Sequence, residues 1–469
     1  MTMHSLKDAL ASKGVQKAPS GVLDGSVTFT LLRLALPTVI VLVVQTFVGI
    51  AETYFISFLG TEALAGVTLV FPVLMLMQMM ANGGIGGGVS SAVARALGAN
   101  RQDDADALVW HSIVLATVLG AVLSVFAILF GPMLYRSMGG TGATLKAALT
   151  YSGMVFAGSI PIWITALLSA ALRGAGSVNI PALVIISGAV LLFALSPALI
   201  FGWGPFPKLG VAGGGAAIFI YYVLAALSLS LFLRSSGSPL KLNIVPLQRR
   251  LFADILSVGL PSAVGTVQVN LTVTFVTAAV GHFGADAIAG FGIASRLDYV
   301  QIPIIFGLGT AIVTMVGINI GANQIARARR VTWVGAAIAF GIAQTIGIVA
   351  ALFPATWMGL FTTDPHVQEM GFVYLRTVAP AYGAVGLGMA LYFASQGAKR
   401  VRFPVLAGTV RMIVAAFVGW ASVIWFGANL HFLFRIVAVA AIAYGVLTAI
   451  AVLPRRMFVP VREPHRQPA

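Results

Sequence analysis

Apolar runs of about twenty residues or more recur along the chain, separated by short polar breaks. Stretches such as 109–130 and 180–202 are unbroken, with no alternation of apolar and polar positions. Alternation over ~10 residues would mark the strands of a membrane barrel. Unbroken runs of ~20 residues suit helices crossing a hydrocarbon core of ~30 Å. In lipid every backbone polar group must be paired internally, and a helix does this within one segment. The pattern predicts helices at 31–59, 63–94, 107–131, 147–172, 180–202, 211–233, 252–282, 287–318, 331–353, 372–395, 404–426 and 433–453. The fold class is an all-α polytopic membrane protein with 12 transmembrane helices. The longest internal polar break, 234–250, divides the chain into an N-terminal six-helix lobe (31–233) and a C-terminal one (251–455). Polar tails at 1–30 and 456–469 flank them.

Composition changes the picture only by strengthening it. Of 469 residues, 59% are hydrophobic and 9% charged, against about 25% charged in an average soluble domain. The net charge of +15 would point a soluble protein toward nucleic acid. Here the cations lie between apolar runs and act as a topology signal, and no nucleic-acid partner is expected. Twelve helices place the two tails and every second loop on one side. That side collects 20 Lys and Arg, while the opposite loops hold only Arg136, Lys146 and Lys208. Positive residues accumulate on the cytoplasmic side, so both termini are expected in the cytoplasm and the chain in the plasma (inner) membrane. No short apolar region with a small-residue cleavage site precedes the first long run, so that helix is expected to stay in place.

Candidate chemistry is sparse. There is no cysteine, and the six histidines show no metal-ligand spacing, which excludes thiolate sites and disulfides and leaves no metal expected. No Walker-type phosphate loop is present. Gly83-Gly84-Ile85-Gly86-Gly87-Gly88 lies within an apolar helical pattern and reads as close helix packing or a hinge. No carboxylate dyad or Ser/His/Asp grouping appears, so neither an enzyme nor a cofactor is expected.

The two halves repeat. Leu36-Pro37, Gly60, Ala63 and Ala65-Gly66 recur at an offset of 224 as Leu260-Pro261, Gly284, Ala287 and Ala289-Gly290. Gly98-Ala99-Asn100, Tyr151, Gly174-Ala175 and Pro181 recur at an offset of 223 as Gly321-Ala322-Asn323, Tyr374, Gly397-Ala398 and Pro404. Six helices per copy make the halves parallel, related by a pseudo-two-fold axis along the membrane normal, as in several transporter folds. A cleft between such halves is where a substrate would sit.

Ionisable groups inside an apolar span cost ~2.5–3.5 kcal/mol on insertion scales and mark cavities or partners. Glu52 lies about eight residues inside the outer end of the first helix, ~12 Å deep. Gln45 is seven residues earlier, nearly on the same stripe. Asp298 lies near mid-membrane in the eighth helix. Arg296, two residues before it, faces a different direction and needs a different partner. Asp298 and Arg296 fit a coupling site or a structural charge network equally. Gln78, Asn82, Gln268, Asn270, Tyr392 and Gln396 are candidate cleft-lining polar groups, and amides of this kind also serve as glue between membrane helices. The run Met75, Met77, Met79, Met80 fits lipid-facing or core packing better than an adaptable drug surface.

The stretches Leu34-Ala35-Leu36-Pro37 through Ala51-Glu52-Thr53 to Leu59–Gly66, Ile293–Asp298 running on to Asn319–Asn323, Arg173-Gly174-Ala175-Gly176 and Gly210–Ala217 together resemble the multidrug and toxic compound extrusion (MATE) family, within the multidrug/oligosaccharidyl-lipid/polysaccharide exporter superfamily. The resemblance covers about 30–455. It implies antiport of small organic, often cationic, drugs or metabolites, driven by inward H⁺ or Na⁺ flow, by one chain acting as a monomer in the lipid bilayer. It implies that Glu52 replaces the aspartate used for cation coupling, that Gln45 stands where a glutamine is frequent, and that Arg296-Leu297-Asp298 matches an Arg-x-Asp/Glu pattern of a related branch. Leu192 and Ser196 stand where one branch has Asn and Asp, and no acid lies near Val269 or Val385, where another carries them. A hard cation such as Na⁺ wants several oxygens, so a lone carboxylate favours H⁺. A lipid-linked precursor flippase, or a structural membrane protein without transport, are the alternatives.

Overall fold

The computed structural model describes residues 21–458. The outer parts of both predicted tails, 1–20 and 459–469, lie outside the described residues. Eleven helices are long and apolar enough to span a membrane, and a bent pair makes the twelfth. They are α1 (Val27–Ser57), α2 (Thr61–Gly98), α3 (Gln102–Ser137), α4 (Gly142–Ala157 with Ser159–Gly174), α5 (Asn179–Phe201), α6 (Val211–Arg234), α7 (Arg249–Gly281), α8 (Ala285–Gly321), α9 (Ile325–Leu352), α10 (Pro365–Gly397), α11 (Arg402–Phe426) and α12 (Leu430–Val452). The two parts of α4 meet at 47°. The predicted helices are all present, with ends shifted by a few residues. The shift is largest at the start of α10, where polar residues such as His366, Gln368 and Glu369 extend the helix ahead of its apolar run, and Gln102-Asp103-Asp104 do the same for α3.

Within the first six helices, α3 packs on the second part of α4, and α6 packs on α5 and both parts of α4. In the last six, α10 packs on α8, α9 and α12. Their large buried side chains separate accordingly, with Trp163, Tyr135 and Phe156 in the first core and Phe434 in the last. Both described chain ends meet at one end of the bundle, where Val22 and Val27 join Val452, Met457 and Phe458 in one apolar cluster. We call this the terminal end and the opposite one the far end.

The repeat is visible in the contacts between lobes. Ser91 Oγ donates to the carbonyl of Gln396, and Thr314 Oγ1 donates to the carbonyl of Arg173 at 2.9 Å. Ser91 and Thr314 are repeat partners, and so are Arg173 and Gln396, so each contact is the pseudo-symmetric image of the other. Gly98 against Ile318 and Gly321 against Arg95 form a second such pair, each glycine pressed onto a backbone carbonyl that a Cβ would strike. These contacts lie at the terminal end. The second half of α2, Gly86–Gly98, packs on α7, α8 and α10, whereas the first half packs mainly on Gly142–Ala157 of its own lobe. Among the described residues, Asn270 against Met79 at 3.9 Å is the hydrogen-bond contact between lobes that reaches furthest toward the far end. The lobes are sealed at the terminal end and part toward the far end.

One segment of α2, Met80–Ile85, is a π-helix, a wider turn that carries one extra residue and recurs at functional sites. The glycine run begins there. Gly84 sits against Ala263 of α7, and Gly87 against the amide of Gln396 of α10. The run serves close packing across the lobes, as its setting in an apolar pattern predicts.

Candidate functional site

Each lobe holds one carboxylate within its apolar helices, Glu52 five residues from the far end of α1 and Asp298 well inside α8, and each is held by a tyrosine from the same repeat position. In the first lobe Tyr151, on α4, donates its hydroxyl to Glu52 Oε1 at 2.7 Å. Glu52 is half-buried. Gly214 of α6 leaves the space beside it, since a Cβ there would stand 3.3 Å from the carboxylate. Tyr222 of α6 lies within electrostatic reach of Glu52, and its neighbour Tyr221 stands beside Gln45. The two tyrosine rings lie 4.5 Å apart. Gln45 and Glu52 thus join one cluster, but through tyrosines and not through each other. Among the described residues Glu52 has no ion pair.

In the second lobe Tyr374, on α10, donates to Asp298 Oδ2 at 3.2 Å. Gln301 Nε2 donates to Asp298 Oδ1 at 3.2 Å. Tyr374 is the repeat partner of Tyr151. The hydroxyl of Tyr382 stands beside Asp298 and Tyr374 but makes no hydrogen bond of good geometry. Arg411 of α11 is within electrostatic reach of Asp298, and its guanidinium stacks 5.5 Å above the Tyr444 ring. Arg296 points away, as the two-residue spacing predicts. It is exposed and lies 5.8 Å over the Phe361 ring.

The amide candidates separate by environment. Gln396 is fully buried, and its Nε2 lies within 3.1 Å of the Gly83 carbonyl and 3.0 Å of both Ser262 Oγ and Tyr392 Oη. It ties α10 to α2 and α7, which is the work of glue. Gln268 Nε2 donates to Thr409 Oγ1 at 2.8 Å, linking α7 to α11. Asn82 and Asn270 donate mainly to carbonyls one turn back in their own helices, Gln78 and Thr266. Gln78, Asn82 and Asn270 are half-buried at the level where the lobes part.

A charged clasp closes one seam at the terminal end. Arg95 of α2 reaches Asp254 of α7 at 2.8 Å, and Lys399, just past α10, pairs with the same carboxylate. Lys399 holds φ +58°, the left-handed region, which costs an L-residue about 1–2 kcal/mol. Its repeat partner in the first lobe is Gly176, also at positive φ. The positions matching Arg95 and Asp254 in the other seam are Ile318 and, at the offset of 224 that holds in that part of the repeat, Thr30, both buried and neither charged. The linker is tied down beside the clasp, with Lys241 N–H donating to Asp106 Oδ1 at 2.8 Å and Gln248 N–H to His111 Nε2 at 2.8 Å. Among the described residues no group of three or more His, Asp or Glu could hold a metal ion.

Sequence reasoning missed Tyr221, Tyr222, Tyr382, Arg411 and the clasp. Tyr151 and Tyr374 stood out only as repeat landmarks, and their meeting with acids from unlike helices, α1 and α8, has no signature in the linear pattern.

Comparison with known proteins follows the same division. The family profile described as MatE matches residues 37–198 and again 261–421. The two matches start on repeat partners, Pro37 and Pro261, and end on repeat partners, Ala198 and Ala421. A FAD transporter of Shewanella oneidensis is 28% identical over 370 residues, covering 78% of this chain and 81% of that protein. The multidrug export protein MepA of Staphylococcus aureus is 26% identical, covering 84% and 89%. Among solved structures, a MOP superfamily transporter from Pyrococcus furiosus, described as having a binding pocket of reversed polarity, superimposes with a TM-score of 0.84 at 26% identity, covering 94% of this chain and 98% of that one. An outward-facing multidrug resistance MATE transporter gives 0.82 at 26% identity, with the same coverage.

Proposed function

Since the chain belongs to the MATE family of multi-pass membrane transporters, which are not enzymes, we propose that it is an H⁺-coupled antiporter exporting small organic, often cationic compounds by alternating access. The observation that carries this reading is Glu52. A carboxylate inside a membrane-spanning helix, five residues short of its far end at Ser57, bonded by one tyrosine at 2.7 Å and without an ion pair among the described residues, suits a group that gains and loses a proton. One carboxylate and one hydroxyl do not make the cage of oxygens that a hard cation prefers. Asp298, within reach of Arg411, shapes the second lobe's pocket. The excess of Lys and Arg on the terminal side supports a cytoplasmic terminal end. A cleft parting toward the far end then corresponds to an outward-open state, in keeping with the outward-facing neighbour. The printed names of the relatives, multidrug export and FAD transport, support export of organic molecules. A lipid-linked precursor flippase would need a cleft rich in basic groups, and the first lobe's cluster has none.

The test is efflux of a fluorescent organic cation from vesicles under an imposed pH or Na⁺ gradient, with the wild type and Glu52→Gln. The expected result is export driven by the pH gradient and lost in the variant. Export driven by Na⁺ alone, or unimpaired export by Glu52→Gln, contradicts the proposal.

A further inference from the structure

Arg411 has no counterpart in the first lobe. It lies nine residues into α11 (Arg402–Phe426), about 13 Å along the helix axis and hence deep in the span. An arginine at such depth is costly and marks a partner or a pathway. Yet among the described residues Arg411 makes no ion pair and no hydrogen bond. Its guanidinium stacks on Tyr444, and the side chain is only half-buried. The nearest acid, Asp298, has both oxygens engaged by Gln301 and Tyr374.

The fold does not require this cation. Its repeat partner in the first lobe is Gly188, which abuts the ring of Tyr221, just as Arg411 covers Tyr444, the repeat partner of that tyrosine. The first lobe closes that shelf with a bare backbone, whereas the second lays five N–H donors across it. One further donor near Asp298 lacks a partner, Tyr382 Oη, in a residue only 2% exposed. A donor, a guanidinium and a stacking face together fit a planar anion, and arginine recognises carboxylates through paired, charge-assisted hydrogen bonds.

We propose that the second lobe binds a carboxylate on the transported compound through Arg411, so that the preferred cargo is amphoteric and not purely cationic. This deepens the export reading and rests on it for the compound's status as cargo. The experiment measures binding alone, so it stands or falls separately from H⁺ coupling. Full-length protein in detergent is titrated with rhodamine 110, which carries a free carboxylate, and with rhodamine 123, its methyl ester, and binding is read by fluorescence anisotropy. The wild type is expected to bind the acid more tightly than the ester. Arg411→Gln weakens the acid by about 10-fold or more, the scale of one charge-assisted hydrogen bond, and leaves the ester within about two-fold. Arg411→Lys restores part of the acid binding. Equal loss of both dyes would mean that Arg411 only shapes the lobe. That result, unchanged binding of both dyes by Arg411→Gln, or a wild type that binds the ester as well as the acid, overturns the proposal.

Discussion

The two lobes carry the same tyrosines and different charges. Tyr151 and Tyr374 are repeat partners, as are Tyr221 and Tyr444. In the first lobe Tyr151 holds Glu52, and Tyr221 stands beside Gln45 and the bare backbone of Gly188. In the second Tyr374 holds Asp298, and Tyr444 lies beneath Arg411. Duplication supplied one frame of hydroxyls and rings, and each copy then received its acid from a different helix, α1 in one and α8 in the other. The electrostatic result differs more than the geometry does. An acid with no cation nearby shifts the local charge when it takes or loses a proton. An acid near an arginine belongs to a pair of opposite charges and presents a dipole to whatever enters beside it. Similar packing therefore leaves one lobe suited to titrate and the other suited to bind.

The sharpest way to break this comparison is to neutralise each acid in turn. Glu52→Gln is expected to reduce pH-driven efflux to the background of empty vesicles, while Asp298→Asn keeps coupling and changes apparent affinity. Equal loss of coupling in both would erase the distinction. Next in size is the seam that joins the lobes. Asp254→Asn leaves Arg95 and Lys399 buried without their counter-ion and should lower stability by about 3 kcal/mol, read as a lower unfolding temperature in detergent. Smaller is Gly188→Ala, which drives a Cβ into the Tyr221 ring and should cost about 2 kcal/mol by overpacking. Smaller still, Tyr151→Phe removes one hydrogen bond to a carboxylate, worth about 1.5 kcal/mol, and should displace the pH dependence of efflux. Tyr374→Phe, where Gln301 remains on the acid, should leave that pH dependence in place.

Much of the fold was legible because lipid imposes a simple rule. Runs long enough to cross the bilayer must be helical, and the charge bias and repeat fix their number and pairing. The functional residues were legible only where cost marked them. Glu52 and Asp298 stand out because a carboxylate in an apolar run needs a reason. Tyr222 and Tyr382 do not, since tyrosine is ordinary in such helices and only tertiary contact gives these their role. Arg411 reads in the linear pattern as one of several cations within or near helix ends, although its depth in α11 carries the same cost argument as Glu52. The clasp was illegible for a different reason. Lys399 and Arg95 read as loop cations in the topology count, and their convergence on Asp254 depends on how three distant helix ends meet.

The π-helical turn at Met80–Ile85 accounts for the step of one residue in the offset between copies. The offset between copies is 224 up to Gly66 and Gly290, but 223 from Gly84 and Gly307 onward. The first copy therefore holds one residue more between those landmarks than the second, and the wide turn takes it up, so that Gly84 keeps its phase against the matching stretch of α8, a regular α-helix. A change of one residue turns everything beyond it by about 100° unless the helix absorbs it, and a wide turn is how a helix absorbs one. The mismatch was accommodated without rotating Ser91, Arg95 and Gly98 away from the opposing lobe. Removing a single residue from that turn should restore a uniform α-helix while leaving the interface in phase, whereas removing one from Gly86–Gly98 would swing the clasp arginine off its carboxylate.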